Sequence, residues 1–457
     1  MTPEADPALM LLVVYLAAVI LIGLRCIRQV RSADDFYVAG RKAGTLNVAG
    51  SLLATVLGSS AILGSVDFAG EKGWAGAWFM LCGALGLAGL FFMTKTLTAF
   101  RVYDLPELLG KFYGPGVRRV SSGVIALAWL GVVGAQFIGA GMITGSVCHI
   151  PYRSGVVLIA LVLAAYTAMG GQFSIIHTDI FQLAFVLAGT GCVFLMLFLA
   201  HPVPEAAPLI SNKFTFSDLA VMIVAYSSTY LVGPDVYSRL FCARSPAAAR
   251  RALLLTTAVL IPLAFMLAYI GICGAAFHPE AGHKNLLFAV AAAEFPRPVT
   301  LFLYFVILSA VMSSADTTLF TAAGLLSHFF AADPARRIGA TRLCVLAVAA
   351  LACGIALFSK SILGVLLFAL SVYSGAFVLP TVWVLAGLPA DRPHGICAMT
   401  AGGVLALAGK IAGGGTGNTL VIGAFLCSLL ILLAGEIRRR RKNGTAPKTL
   451  RNEREMK

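Results

Sequence analysis

The chain has 457 residues, 59% of them hydrophobic and 12% charged, with a formal charge of +14. Water-soluble domains carry about 25% charged residues, so a soluble globular protein is excluded. A basic balance can signal nucleic-acid binding, but here the charges are scattered among apolar runs, and anionic lipid headgroups account for them.

Apolar runs of about 20 residues recur along the whole length, the pattern of an all-α polytopic membrane protein. In chain order the expected spans are 8–26, 45–69, 72–99, 118–148, 152–170, 177–200, 216–238, 249–277, 298–330, 338–359, 361–388, 395–413 and 417–437. The first carries Glu4 and Asp6 ahead of it and Arg25, Arg28 and Arg31 behind it, so it reads as a span rather than a signal peptide. With thirteen crossings, an outer N-terminus and a cytoplasmic C-terminus, 27 of the 34 Lys and Arg fall on the inner side and 7 on the outer. That is the asymmetry the positive-inside rule demands. In this reading Arg239, Arg250 and Arg251 are inner-loop charges, and no basic residue lies at mid-membrane depth.

The ten cysteines form no CxxC pair and sit mostly within spans, so neither a disulfide nor a metal site is expected. No nucleophile elbow, phosphate loop or metal-ligand spacing appears, and the seven histidines are scattered, mostly at span ends. No enzyme activity and no organic cofactor are expected.

The informative residues are polar ones at depth. An ionised Asp at a helix centre costs about 2.5–3.5 kcal/mol on insertion scales, so such residues face a cavity or a partner. Asp67 and Asp235, near span ends, read as interfacial carboxylates or helix caps; Asp316 and Asp179 read as neighbours of a transported species. On a helix, Ala310, Ser313, Ser314 and Thr317 share one face. Their oxygens suit either a hard cation such as sodium or hydrogen bonding between helices. A second pattern tips this balance. The second span reads SLLATVLGSSAILGSVD (51–67) and the seventh, five spans later, reads IVAYSSTYLVGPD (223–235). Each carries paired serines, a Gly and an Asp inside an apolar helix, as in inverted-repeat transporters whose broken helices line a midplane site. Carbonyls freed near Ala54–Ser60 could then complete an oxygen cage with Ser313 and Ser314.

Four motifs now carry a resemblance: DDFYVAGRKAG (34–44), YTAMGGQFSIIHTDIFQ (166–182), GPDVYSRLFCARSPAAARRA (233–252) and SAVMSSADTTLF (309–320). The chain resembles the sodium:solute symporter family, whose relatives carry sugars, proline, pantothenate, sialic acid and carboxylates. The resemblance implies a LeuT-type five-plus-five inverted repeat with one extra helix before it and two after. The divisions would be 1–44 (extra helix and loop), 45–200 and 216–388 (the two repeats), 395–437 (two further helices) and 438–457 (basic cytoplasmic tail).

It also implies roles. Sodium, the coupling ion, would be held by the carbonyls of Ala54, Leu57 and Ala310 and the hydroxyls of Ser313 and Ser314. Asp179 would help bind a further cation or guide sodium inward. Solute would lie near Ser59, Ser60, Trp78, Phe79, Tyr226, Ser227, Thr229, Tyr230 and Tyr373. Ala61 and a largely apolar third span depart from the sugar carriers and favour a smaller solute, an amino acid such as proline or a short carboxylate. With no midplane basic residue, a carboxylate would use the positive ends of half-helices.

The expectation is a sodium-coupled symporter of the plasma membrane, the inner membrane in a bacterium, with solute, sodium and lipid as its partners. The alternatives are a proton-coupled carrier of the same fold and a transporter-like sensor, the latter disfavoured because no signalling domain follows Lys457.

Overall fold

The structure, a computed structural model, describes residues 7–279, 286–331, 333–359, 362–389, 391–412 and 414–444. The side chains of Ser59 and Ser60 lie outside that description, as do residues 1–6, Lys284, Lys360 and the tail beyond Gly444.

The described residues are helical, with no strand and two isolated bridges. Nine helices among them are long and apolar enough to cross a membrane. Helix α1 spans Pro7–Ile27, and the short α2 (Ala33–Val38) starts at Ser32, whose hydroxyl accepts from the Asp35 amide at 3.1 Å. The expected second span is two helices, α3 (Thr45–Val56) and α4 (Ser59–Lys72). Between them Leu57 (ψ 46°) and Gly58 (ψ 168°) leave helical geometry. Helices α5 (Trp78–Ala99), α6 (Leu105–Tyr113) and α7 (Pro115–Cys148) follow.

Spans five and six, expected as separate, are two helices that meet without a loop at Gly171, together 49 residues, α8 (Tyr152–Ala200). At 1.5 Å per residue that is about 74 Å, more than twice the hydrocarbon thickness. The run turns at Gly171 (φ 55°, ψ −141°), a backbone region open essentially to glycine alone. A Cβ at Gly171 would stand 2.6 Å from the Phe36 carbonyl, so the bend is also the seat of α2.

The seventh span is interrupted as well. After α9 (Phe216–Met222) comes a wide π turn over Ile223–Ser227, then α10 (Ser228–Leu231). The chain leaves helical geometry at Val232 and Gly233 before α11 (Pro234–Phe241). Then come α12 (Pro246–Phe277), α13 (Leu286–Glu294), α14 (Arg297–Ser327), α15 (Pro334–Phe358), α16 (Ile362–Leu385), α17 (Arg392–Ala412) and α18 (Gly414–Gly444). The segment before α3 is tied to the segment after α11: the Ala43 amide donates to the Cys242 carbonyl and the Arg244 amide to the Ala43 carbonyl, both at 3.0 Å.

The chain forms two compact units, 1–105 with 122–369 and 106–121 with 370–457. In the first, α14 is the hub: from Phe305 to Ala323 it is buried throughout, against α8, α15, α3 and α4. In the second, Tyr113 donates to the Pro380 carbonyl at 3.0 Å, and Gly402 meets Gly375 backbone to backbone, the close approach that small residues permit in lipid.

Asp67 is a cap, one of its two expected roles: its Oδ1 accepts from the Leu286 amide at 2.9 Å, at the start of α13. At the other end of α13, Glu294 lies 2.7 Å from His278 and 3.2 Å from His201. Burial raises the Glu294 carboxyl, but its hydrogen bonds and charge pairing with the two histidines outweigh this and hold it below the ordinary glutamate value.

Replacing Gly171 by Ala should lower the melting temperature in detergent, with a cost of at least about 1–3 kcal/mol for the strained backbone alone. An unchanged melting temperature would show that the α8 bend does not depend on glycine.

Candidate functional site

The site begins with what a broken helix leaves undone. Helix α3 stops at Val56, so the carbonyls of its last turn lose their i+4 amide partners. Leu57 still donates to the Leu53 carbonyl at 2.8 Å, and Ala61 and Ile62 restart the ladder on the Gly58 carbonyl at 3.1 and 3.0 Å. Ala54 and Leu57 are buried at this gap. Helix α14 comes against it: Ser314 donates to the Thr55 carbonyl at 3.3 Å, and Ala310, Ser313 and Ser314 are all buried. Gly58 is required for the approach, because a Cβ there would stand 2.5 Å from the Ser314 hydroxyl oxygen.

Behind the serines lies a buried charge network. Asp179, on the second arm of α8, accepts from Ser313 at 2.7 Å through Oδ1. Its Oδ2 accepts from Arg239 at 3.1 Å and, by a short hydrogen bond, from Ser51. Arg239 also donates to Thr317, one turn beyond Ser313 on the same face. Asp316 points the other way, accepting from Tyr166 at 2.9 Å and from Thr178 at 3.2 Å.

Arg239 corrects the sequence reading. Expected as an inner-loop charge, it is 1% exposed and ion-paired with Asp179, which is fully buried. The inference that no basic residue lies at the depth of the site therefore fails. The physical reason is that α11 is the second half of an interrupted span. An arginine six residues past Gly233 is carried inward, and a buried carboxylate supplies the partner that makes its burial tolerable.

The expected solute residues divide. Phe79 meets Tyr226 edge to face at 4.8 Å, and Tyr226 lies 6.1 Å from Tyr230, so these three form one aromatic group beside the π turn. Ser227 is buried against Gly86 of α5, where a Cβ would collide with the Ser227 carbonyl. Thr229 bonds back to the Tyr226 carbonyl at 2.7 Å and serves the local turn. Trp78 donates to the Leu209 carbonyl at 3.1 Å and packs with the buried group of Ala75, Phe214 and Leu219, holding a loop. Tyr373 belongs to the second unit, where its ring lies 5.8 Å from Phe377.

A further layer, which the sequence reading did not single out, lies around α2. Tyr37 shares a 2.7 Å hydrogen bond with Thr341, and Tyr103 donates to Asp34 at 2.5 Å. The buried Arg337 guanidinium sits 4.9 Å from the Tyr37 ring and 5.7 Å from the Tyr103 ring. Only the DDFY segment, as a motif without an assigned role, pointed here.

A sequence model of the sodium:solute symporter family matches residues 36–386. The chain belongs to that family. The family and the relatives it matches are transporters, not enzymes, and the chain is an integral membrane protein. The Escherichia coli sodium/pantothenate symporter is 25% identical over 42% of the chain and 41% of the relative. The human sodium/iodide cotransporter is 26% identical over 35% of the chain and 25% of its own length. These two matches span well under two thirds of each relative, whereas the Bacillus subtilis high-affinity proline transporter PutP is matched over 78% of this chain and 82% of its own, at 23% identity. Among solved structures, a Na+-coupled sialic acid symporter in a substrate-bound outward-open state superposes with a TM-score of 0.76. That likeness covers 93% of this chain and 97% of the other at 17% identity, and so speaks to the fold.

For this buried pair, Arg239→Gln should destabilise the protein by about 3–5 kcal/mol, because an uncompensated carboxylate stays buried. The double variant Asp179→Asn/Arg239→Gln should recover part of that loss in thermal unfolding. Additive losses would show that the two side chains act independently.

Proposed function

We propose that the symporter imports a small organic solute, an amino acid such as proline or a short carboxylate, driven by sodium held at the gap between α3, α4 and α14. The ligands in this reading are the carbonyls of Ala54, Leu57 and Ala310 and the hydroxyls of Ser313 and Ser314. The observation that carries it is the 3.3 Å contact from the Ser314 hydroxyl to the Thr55 carbonyl, inside the core and beside a helix end with unmatched carbonyls. Neutral oxygens from two helices can replace a sodium ion's water shell without binding it too tightly to release. The proton of Ser313 is directed at Asp179, which leaves the lone pairs of that oxygen for the ion. Asp179 then acts by holding Ser313, not as a direct ligand.

The breaks at Leu57–Gly58 and Val232–Gly233 support two inverted repeats, at 45–200 and 216–388, within thirteen crossings. The Lys and Arg asymmetry supports an outer N-terminus and a cytoplasmic C-terminus. In that orientation the end that carries α2 is the cytoplasmic one. Sodium would tie α14 to the broken helix and favour the form that accepts solute from outside; its release would follow the opening of the Tyr37–Arg337 layer.

The group of Phe79, Tyr226 and Tyr230 gives the solute a flat apolar wall. Arg239 is engaged by Asp179, so a solute carboxylate would meet the N-terminal amides of α4 instead.

Uptake into proteoliposomes should require an inward sodium gradient and survive a protonophore. Proline and short carboxylates are the first solutes to screen, by thermal shift with and without sodium. Ser313→Ala or Ser314→Ala should raise the half-saturating sodium concentration about tenfold or more, as expected for losing a bond worth about 1.5 kcal/mol, with a smaller change in solute affinity. Uptake that persists in choline but collapses with the pH gradient would instead support proton coupling.

A further inference from the structure

We propose that the buried Arg337 guanidinium and the cavity beside it form a binding site for a small carboxylate anion. The site goes beyond the transport reading given above and depends on it only for the side of the membrane it faces, the cytoplasmic one.

A guanidinium cannot shed its charge by losing a proton, so burying one calls for an anion close by. Arg337, near the start of α15, is 1% exposed, and its Nε has no hydrogen-bond partner. Among the described residues no carboxylate forms an ion pair with it. The charges around it are engaged elsewhere. Arg41 lies 3.9 Å from Asp34 and donates to the carbonyls of Arg101 and Val102. Asp104 Oδ2 lies 2.8 Å from His328 Nε2, and the other ring nitrogen of His328 is 3.1 Å from the Ser122 hydroxyl. Arg337 has the faces of Tyr37 and Tyr103 instead, and a ring is a weaker counterpart than a carboxylate in a low-dielectric interior.

The same two tyrosines form a wall of a cavity of about 30 Å³, room for about two water-sized groups and so for the two oxygens of a carboxylate. Thr321 of α14 lines it; this side chain is more than nine-tenths buried, and its Oγ1 has no partner, a hydroxyl ready to donate. Gly324 lines it too, and a Cβ there would meet nothing within 4 Å, so α14 leaves the space open. Asp104 also stands on the wall and would favour a cation. It is 18% exposed and screened by water and by His328, whereas Arg337 is fully buried and permanently charged, so the balance favours an anion. Both solute classes named above carry a carboxylate, and so does any small cytoplasmic acid.

The test is thermal unfolding of the full chain in lipid nanodiscs at constant sodium, with acetate replacing gluconate, which is too large for the cavity. Acetate should raise the melting temperature along a saturable curve. Arg337→Gln should raise the half-saturating acetate concentration at least tenfold, and Thr321→Val should raise it as well. Asp104→Asn removes a negative charge from the wall and should lower it several-fold. Gly324→Val fills the cavity without touching the arginine, and should abolish the shift even where Arg337→Gln fails to fold. No saturable shift in the wild type, or one that Gly324→Val leaves unchanged, would be a general salt effect and would overturn the proposal. Acetate binding weakened in Asp104→Asn would overturn it too. Proline competing with acetate would make the occupant the solute's own carboxylate; acetate binding indifferent to proline would make it a cytoplasmic acid, and either supports the site. Because sodium is held constant, the outcome is separate from whether sodium drives uptake.

Discussion

Backbone that leaves the helix inside a bilayer has no water to bond to, and each unsatisfied polar group there costs several kcal/mol. The interruption at Leu57–Gly58 is therefore the constraint from which the rest of this fold follows. Every neighbour of the gap can be understood as an answer to it. Gly58 carries no side chain, which lets α14 approach. Ser314 supplies a hydroxyl to the Thr55 carbonyl, and α14, buried from Phe305 to Ala323, brings that hydroxyl to the gap. A small cation would complete such a set, because it could satisfy several carbonyls at once.

Around this gap the charged groups are arranged to position rather than to attract. Asp179 would be costly to bury alone, and Arg239 would be as costly; together, with Ser51, Ser313 and Thr317, they form a bonded group that joins α3, α8, α11 and α14. These helices belong to both halves of the internal repeat proposed for the fold. An ion bound at the serines would thus be felt by elements from each half, and the layer of Tyr37, Tyr103 and Arg337 stands where Thr341 of α15 meets α2.

Much of this was legible in the residues. Apolar runs interrupted by Gly and paired serines mark both breaks, and the helical spacing of Ala310, Ser313, Ser314 and Thr317 marks the facing stripe. What escaped has physical reasons. Arg239 has the same side chain as the loop arginines Arg244, Arg250 and Arg251, and only a partner 60 residues away, Asp179, makes it a core residue. Trp78 carries the aromatic signal of a binding site, yet its ring nitrogen is taken by the loop carbonyl of Leu209. Gly171 lies in a Gly-Gly pair that suggests a turn, but hydropathy alone cannot show that the helix restarts at once on the far side. Local pattern reveals where a helix fails; pairing across the fold decides what the failure is for.

The most direct measurement is a pair of cryo-EM maps of the chain in nanodiscs, one in sodium and one in choline. The account predicts an ion-sized density bounded by the Ala54, Leu57 and Ala310 carbonyls and the Ser313 and Ser314 hydroxyls, present in sodium and absent in choline. A continuous helix through Leu57–Gly58, or sodium-dependent density elsewhere with none at this gap, would contradict it.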